Sequence, residues 1–364
     1  MPSGEGKLNP KGVDFYSRLI DELLAVEIQP IPTLFHYDLP LALHEKGGWP
    51  NRETAVAFGK YAEEMAKVYG DRVTWWITHN EPFVTALGGY FTGEHAPGIQ
   101  DAVATFAAIH SLLLSHGYAV QAIRSIRKDT QIGIALNLSP VHPASDNEQD
   151  KLAATRFDGL LNRMFLDPIL LGKYPEDMKK LFKDLLPEIR SDDLELIYQP
   201  IDFVGINYYT RAVVKDDPEV PFMNASQVQP KTNDYSMMWE IYPKGIYELI
   251  TRVWRDYKPS KIFITENGVP VPDDVDFDGK VRDYRRIQYL RDHIEQVHHA
   301  IDQKIPVIGY LVWSLLDNFE WAKGYRMRFG IVYTDFENQK RSLKESAKWF
   351  SHLIQSNTLK SDWK

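Results

Sequence analysis

Short apolar runs alternate with longer amphipathic segments along the chain. Six of the runs have the length and the content of Val, Ile and Phe that are typical of β-strands. They are Ile28–Phe35, Val73–Thr78, Ile132–Leu138, Ile201–Tyr208, Lys261–Thr265 and Pro306–Trp313. The segments between and after them favour helices, at Gly12–Val26, Asn51–Gly70, Ala102–Arg127, Ala154–Leu171, Lys244–Tyr257, Val281–Gln303 and Ser342–Gln355. Strands that alternate with helices in this way predict parallel βαβ units.

The first helical segment carries an apolar stripe at the spacing of a helix with one buried face. The stripe consists of Tyr16, Leu19, Ile20, Leu23 and Leu24. Asn9 and Pro10 stand directly before it, where an N-cap residue and a first-turn proline belong. The sequence therefore predicts a helix that begins close to Pro10 and has one apolar face.

The alternation of strands and helices continues without a linker, a low-complexity tract or a shift in composition. We therefore expect one domain over residues 1–364, of the TIM-type (β/α) barrel class. A closed barrel of this class needs eight strands, and the sequence offers six candidates. The prediction is an incomplete barrel, shortened at its N-terminus, with about six of the eight strands in this chain.

Composition narrows the possible partners. The formal net charge is −8, with acidic and basic residues interspersed, which disfavours nucleic acid and anionic membranes as partners. The chain has no cysteine, so disulfides, thiolate catalysis and cysteine metal sites are excluded. We expect no cofactor and no metal. The longest apolar run, Val307–Leu316, is too short for a membrane span, and the first residues lack a secretory pattern, so a cytoplasmic location is expected.

Two glutamates, Glu81 and Glu266, each follow an apolar β run. Because a (β/α) barrel builds its active site at the carboxyl ends of its strands, both side chains are candidates for one site. Two carboxyl groups, one a proton donor and one a nucleophile, are the minimum equipment for breaking a glycosidic bond. Either glutamate alone could be a solvated loop carboxylate, but chance does not readily place both at strand ends.

Other polar and aromatic residues follow the same strands. His36 stands after the first strand, where a structural role is the more frequent one for a lone histidine. Trp313, Glu320 and Trp321 follow the last strand and could be core residues beside a surface acid. The functional alternative is a sugar platform, with the carboxylate accepting hydrogen bonds from sugar hydroxyls.

Taken together, several strings in the chain resemble glycoside hydrolase family 1, the β-glucosidase family, from the first residues to about Phe350. They are His36-Tyr37-Asp38-Leu39-Pro40, Thr78-His79-Asn80-Glu81-Pro82, Gly205-Ile206-Asn207-Tyr208-Tyr209, Trp239-Glu240-Ile241-Tyr242-Pro243, Thr265-Glu266-Asn267-Gly268, Trp313-Ser314-Leu315-Leu316-Asp317-Asn318-Phe319-Glu320-Trp321 and Arg328-Phe329-Gly330-Ile331-Val332-Tyr333. Their order along the chain is that of the family, which makes the resemblance far more specific than any one motif.

The resemblance implies a role for each candidate residue. Glu81 would be the general acid/base and Glu266 the nucleophile of a retaining β-glycosidase that acts on β-glucosides and also on galactosides or fucosides. The hydroxyls of the sugar would be held by His36, Asn80, Glu320 and Trp321. Trp313 would lie under the sugar ring, and Tyr209 would donate a hydrogen bond to Glu266. Asn207 and Phe329 would complete the pocket wall.

Departures from the family pattern leave alternatives open. Tyr37 stands where a tryptophan is usual, and Met164 is a further departure. The family's first two strands would supply a sugar-binding glutamine and an arginine beside the nucleophile, and neither has an equivalent here. The alternatives are therefore a catalytically impaired sugar-binding relative, or a chain whose true start lies upstream. We expect a homo-oligomer in which a partner covers the open side of the barrel.

The residues after Glu320 bear on the substrate. In the branch of the family that acts on phosphorylated sugars, this position is followed by serine, lysine and tyrosine residues that hold the phosphate. Trp321 instead indicates an unphosphorylated sugar. Lys323, Arg326 and Arg328 lie nearby in the sequence, so a 6-phospho-β-glucosidase stays as an alternative.

Overall fold

The computed structural model describes residues 1–232 and 234–359, so the predicted domain 1–364 also includes residues outside the described part. The strands are β1 (Thr33–Phe35), β2 (Trp75–Asn80), β3 (Gln131–Asn137), β4 (Val141–Pro143), β5 (Phe203–Asn207), β6 (Ala212–Asp216), β7 (Ala225–Gln227), β8 (Ile262–Asn267), β9 (Val307–Val312), β10 (Val332–Thr334) and β11 (Arg341–Leu343). The main sheet has six strands in the order β1-β2-β3-β5-β8-β9, and all its neighbouring pairs are parallel. These are the six strands that the sequence predicts.

Helices connect the strands of the main sheet. They are α1 (Pro10–Ala25), α2 (Leu41–His44), α3 (Arg52–Tyr69), α4 (Pro82–Ala86), α5 (Ala102–Ile126), α6 (Glu148–Asp158), α7 (Met164–Leu171), α8 (Glu176–Leu181), α9 (Asp193–Ile197), α10 (Lys244–Tyr257), α11 (Tyr284–Asp302) and α12 (Glu345–Ser356). Short π-helical turns follow α4 and α6, at Leu87–Phe91 and Gly159–Arg163, and a 3₁₀ segment covers Trp321–Arg326. The predicted helix at Ala154–Leu171 is therefore interrupted. Two small sheets, β4-β6-β7 and β10-β11, have no counterpart among the predicted strands.

Strands β1 and β9 lie at the two edges of the main sheet within the described residues. The predicted strand at Ile28–Phe35 is reduced to the three residues of β1. Pro30 and Pro32 explain the difference, because proline has no N–H to contribute to a strand ladder. The register is nevertheless fixed, with Thr33 opposite Ile77 on β2.

Apolar side chains beside both edges remain accessible. Asn9 caps α1 as predicted, but of its apolar stripe only Ile20 is buried, while Tyr16 is 56% and Leu19 is 45% exposed. At the other edge, Ile308 and Leu311 of β9 are also exposed. The side of the sheet next to β1 and β9 is therefore uncovered within residues 1–232 and 234–359.

Helix α5 forms much of the core. It is buried on most sides and packs closely on α3, where a Cβ on Gly59 would lie 2.8 Å from the Cβ of Tyr118. It is also the one helix in the described part of the chain that has the length and apolar composition to cross a membrane. Some 78% of its most apolar window is buried inside the protein, as in the core helix of a globular fold.

The inner face of the main sheet is filled at the amino ends of the strands. Trp75, Phe203 and Phe263 pack against one another there, with ring centroids 5.4–6.3 Å apart. Gly133 makes this possible, because a Cβ at that position would lie 2.5 Å from the Phe203 ring. The aromatic layer closes one end of the sheet, and the opposite, carboxyl end holds a cavity.

Candidate active site

The cavity at the carboxyl ends of the strands encloses about 740 Å³. All ten residues that the sequence singles out line it: His36, Asn80, Glu81, Asn207, Tyr209, Glu266, Trp313, Glu320, Trp321 and Phe329. They come from the ends of five different strands and from the segment that follows β9. The topology therefore brings together residues that are up to 293 positions apart in the sequence.

Three residues around the cavity have left-handed backbone conformations without being glycine. Their φ angles are +76° at Tyr37, +47° at Glu81 and +43° at Trp321. Each such residue costs on the order of 1–3 kcal/mol, which the surrounding packing must offset. Strain of this kind is typical of functional sites, and here it occurs at the ends of β1 and β2 and after β9.

Both oxygens of the Glu81 carboxyl accept hydrogen bonds. The Asn207 side-chain amide donates to Oε1 over 2.9 Å, and the Tyr37 hydroxyl donates to Oε2. Asn207 is fixed in turn, because the Thr265 hydroxyl donates to its Oδ1 over 2.6 Å. The carboxyl group of Glu81 is therefore held in one orientation at the cavity floor.

The second carboxyl group, that of Glu266, lies at the carboxyl end of β8. The Tyr209 hydroxyl donates to its Oε2 over 2.5 Å. The Tyr209 ring is itself packed between Trp239 and Phe329, with centroid distances of 5.1 and 6.2 Å. An aromatic wall therefore positions the hydroxyl group that donates to Glu266.

The electrostatics of the two glutamates are linked. Burial raises the pKa of Glu81, and the hydrogen bonds from Tyr37 and Asn207 oppose that rise. Burial also raises the pKa of Glu266 well above its usual range, and the charge of Glu81 raises it further. Within residues 1–232 and 234–359, no lysine or arginine forms an ion pair with either carboxyl group. The pair therefore holds a proton readily, as two nearby buried carboxyls do.

A histidine and two tryptophans form the wall next to the glutamates. The His36 ring stacks on Trp313 and on Trp321, with centroid distances of 5.8 and 5.5 Å. Burial lowers the pKa of His36 to about 4, so its ring is neutral at ordinary pH and can accept the 3.2 Å hydrogen bond from Asn80. Trp313 donates to Glu320 over 3.4 Å. The group offers flat apolar surface beside several hydrogen-bonding atoms.

Behind this wall lies a buried ionic network, which consists of Arg286, Arg328, Lys344, Asp273, Asp283 and Asp317. The Lys344 ammonium bridges Asp317, over 2.8 Å, and Asp273. Asp317 belongs to the segment that leads to Glu320, whereas Asp273 belongs to the loop after β8. Three cations balance three carboxylates, so the network as a whole is neutral and links the two sides of the cavity.

The contacts of some cavity residues were not predicted from the sequence. Tyr37 was noticed only as a departure from a family pattern, and its hydroxyl proves to contact Glu81. Glu94 and Lys323 form a 2.6 Å ion pair that joins two loops on the cavity lining. Nothing in the local sequence indicates that pair, because 229 residues separate its members. In the described part of the chain, no group of three or more His, Asp or Glu side chains is arranged to hold a metal ion.

Comparisons with known proteins agree with this architecture. The family model described as Glycosyl hydrolase family 1 matches residues 1–359. Beta-glucosidase A of Thermotoga maritima is 46% identical over 361 residues, which cover 99% of this chain and 80% of that protein. A bifunctional beta-D-glucosidase/beta-D-fucosidase of Bifidobacterium breve is 40% identical over 377 residues, which cover 97% of this chain and 81% of the relative.

A solved structure gives the same result in three dimensions. The Thermotoga maritima β-glucosidase in complex with deoxynojirimycin superimposes with a TM-score of 0.96 at 46% identity, over 99% of this chain and 81% of that chain. This chain therefore spans about four-fifths of the length of these proteins.

Proposed function

Because the chain belongs to glycosyl hydrolase family 1, with the (β/α)₈ barrel fold of its structural neighbours, we propose that it hydrolyses β-glucosides with retention of configuration. Relatives named beta-glucosidase that match nearly all of this chain support an enzyme of that kind. The observation that carries the mechanism is a pair of glutamates on one cavity, the buried Glu81 at the end of β2 and the part-buried Glu266 at the end of β8, with different hydrogen-bond partners.

In this mechanism Glu266 attacks the anomeric carbon while Glu81 gives its proton to the leaving oxygen. The bond between sugar and aglycone breaks, and a covalent glycosyl ester forms on Glu266. The ester of Glu266 is neutral, so Glu81 is then the only charged member of the pair. It then takes a proton from water, which attacks the anomeric carbon and releases Glu266. The hydrogen bond from Tyr209 stabilises the ionised nucleophile at the start and at the end of the cycle.

We assign the sugar to the wall that faces the glutamates. Trp313 would lie under the ring, while His36, Asn80, Glu320 and Trp321 would hold its hydroxyls, and Asn207 and Phe329 would complete the pocket. The stacking of His36 between the two indoles supports this, because it fixes three of these groups as one surface. Glu320 can accept hydrogen bonds from hydroxyls of either configuration, so fucosides and galactosides are proposed as further substrates.

The phosphorylated-sugar alternative is the weaker one. The Arg328 guanidinium binds the buried Asp317 over 2.7 Å and lies over the rings of Tyr333 and Phe336. Arg328 and Arg326 are not among the residues that line the cavity. Lys323 does line it, but its charge is balanced by Glu94. A phosphate group would therefore meet one cation that is already paired.

The uncovered edges of the main sheet, at β1 and β9, raise the question of what closes the active site on that side. We infer that polypeptide covering β1 and β9 closes the site, most simply a second copy of the chain. The accessible apolar side chains of α1 and β9 support this, since unpaired strand edges are normally covered. A cation from that covering surface would lower the pKa of Glu266, and would replace the arginine that the family resemblance implies.

The test is the replacement of each glutamate. Glu266→Ala should abolish hydrolysis of aryl β-glucosides, and added azide should restore turnover with the α-configured glucosyl azide as product. Glu81→Ala should retain a fast first step for dinitrophenyl glucoside and lose roughly 10²–10⁴-fold with poor leaving groups. Glu248→Ala, which removes a part-buried glutamate that does not line the cavity, is the matched control and should leave kcat unchanged.

Two results would contradict the proposal. A β-configured azide product from Glu266→Ala would remove the nucleophile from that position. A protein that binds deoxynojirimycin but hydrolyses no β-glucoside would favour the alternative of a sugar-binding relative without turnover.

A further inference from the structure

Tyr37 makes a contact that the assigned roles do not use. Its hydroxyl donates a hydrogen bond to Oε2 of Glu81, while Asn207 donates to Oε1. A carboxyl group with donors on both oxygens is stabilised in its ionised form, because the protonated form must give up one of these bonds. This arrangement is unexpected for a group that has to begin the reaction as an acid.

The Tyr37 side chain is held firmly in this position. Its backbone is in the left-handed region, and its ring packs edge-on against Trp321, with a centroid distance of 4.7 Å, and against His95, at 5.6 Å. Burial, followed by the charge of Glu81, raises the pKa of Tyr37 well above its usual range. The phenol therefore keeps its proton and stays directed at Glu81.

We propose that Tyr37 is a further positioning residue, which acts through Glu81 and biases it toward its ionised, general-base form. The proposal rests on the retaining mechanism above, in which Glu81 gives a proton in the first step and takes one from water in the second. Tyr37 transfers no proton itself. It stabilises the charge that Glu81 carries between the two transfers, so it favours the hydrolysis of the glycosyl ester and opposes the first step at high pH.

The other titratable groups around Tyr37 and Glu81 do little to keep Glu81 ionised, so the hydrogen bonds from Tyr37 and Asn207 matter for its pKa. The titratable side chains that face Tyr37 and Glu81 from the surrounding elements are Glu266, Glu320, Tyr209, His36 and His95. Two of them are carboxyls, and burial and the charge of neighbouring groups keep the histidines and tyrosine neutral near pH 7. Within the described residues, the hydrogen bonds from Tyr37 and Asn207 are therefore the main influence that opposes protonation of Glu81.

The pH dependence of kcat/KM tests this directly. Activity is lost on the alkaline side when Glu81 ionises, so removing a donor raises its pKa and moves that limb to higher pH. Tyr37→Phe should shift the alkaline limb upward by about one pH unit, the effect of one hydrogen bond to a charged group. With dinitrophenyl glucoside, whose second step limits turnover and needs ionised Glu81, the acidic limb of kcat should move up by about the same amount, so kcat falls about tenfold only below the pKa of Glu81.

Tyr209→Phe is the matched comparison, because it removes a hydroxyl from the other glutamate. It raises the pKa of Glu266, whose ionised form is needed, so it should move the acidic limb to higher pH and leave the alkaline limb in place. A fluorinated tyrosine at position 37, a stronger donor of the same shape, should move the alkaline limb downward.

The proposal would be overturned if the alkaline limb of kcat/KM stayed at the same pH both in Tyr37→Phe and with fluorinated tyrosine at position 37. A ¹³C NMR titration of labelled glutamate gives the pKa of Glu81 without turnover. An unchanged pKa in Tyr37→Phe would refute the role of Tyr37 alone, whereas absence of hydrolysis by the unaltered protein would refute the proposed function.

Discussion

Removing Lys344 should show how much the buried ionic network contributes to the fold. The Lys344 side chain is fully buried, and its ammonium contacts both Asp273 and Asp317, whose side chains are fully buried as well. Lys344→Met leaves three carboxylates with two cations, so one negative charge stays uncompensated in the interior. Breaking a buried pair from one side costs about 3–5 kcal/mol. Each aspartate keeps one arginine partner, which places the expected loss near 3 kcal/mol.

The compensating variant is Lys344→Met combined with Asp273→Asn, which restores a neutral network and leaves Asp317 with its own partners, Arg328 and Gly330. We expect it to recover about 2 kcal/mol of the free energy of unfolding, measured by urea denaturation. Arg52→Met, which breaks the part-buried Arg52–Asp193 pair between α3 and α9, is the control for an ion pair that does not line the cavity. A single variant within about 1 kcal/mol of the unaltered protein, or a double variant no more stable than the single, would refute the charge argument.

The same variants report on the cavity. Asp317 anchors the segment that carries Glu320 and Trp321, and it accepts a 3.0 Å hydrogen bond from the Gly330 amide beside Phe329. If Lys344 fixes that segment relative to the loop after β8, the double variant should bind deoxynojirimycin about tenfold more weakly even though its stability is largely restored. Arg52→Met should leave this dissociation constant unchanged. Unchanged affinity in the double variant would show that the network stabilises the fold without positioning the pocket.

Two further predictions follow from the pocket and from the sheet edges. Aryl β-fucoside and β-glucoside should have kcat/KM values within about tenfold of each other, because Glu320 can accept hydrogen bonds from sugar hydroxyls of either configuration. A strong preference for 6-phospho-glucoside over glucoside would contradict the assignment of Trp321 to the binding of an unphosphorylated sugar. Light scattering at low micromolar concentration should show a two-fold dimer that loses activity on dilution, since exposed apolar surface beside open strand edges favours association. A stable, fully active monomer would refute the proposal that a second copy of the chain covers β1 and β9.

The parts of the molecule that the sequence predicts are those with local signals. The six strands of the main sheet are found, and Glu81 and Glu266 lie on one cavity because parallel strands bring their carboxyl ends to the same edge. The roles given to the ten cavity residues stay proposals that rest on this placement. Asn9 is also found where its sequence pattern places an N-cap.

Contacts between distant residues give no such signal. The hydroxyl of Tyr37 reaches Glu81 with the backbone of both residues left-handed, a conformation that neither side chain favours. From the sequence alone, the six members of the ionic network would be taken for ordinary surface charges. Whether a charged side chain is buried depends on its ion-pair partners, which the periodicity of apolar residues cannot identify. The apolar stripe of α1 shows the same limit, because a stripe indicates that a face is apolar but not what covers it.

The burial of α5 also has a consequence for synthesis of the chain. Its 25 residues end at Ile126, so 238 residues follow it in the sequence, and these include α7 and α9, which pack on it. At a translation rate of about 5–20 residues per second, these residues take roughly 12–48 seconds to emerge from the ribosome. Until α7 and α9 have emerged, α5 can pack on α3, but the apolar faces that the later helices cover stay exposed. Slower codons after residue 126 would lengthen this exposure.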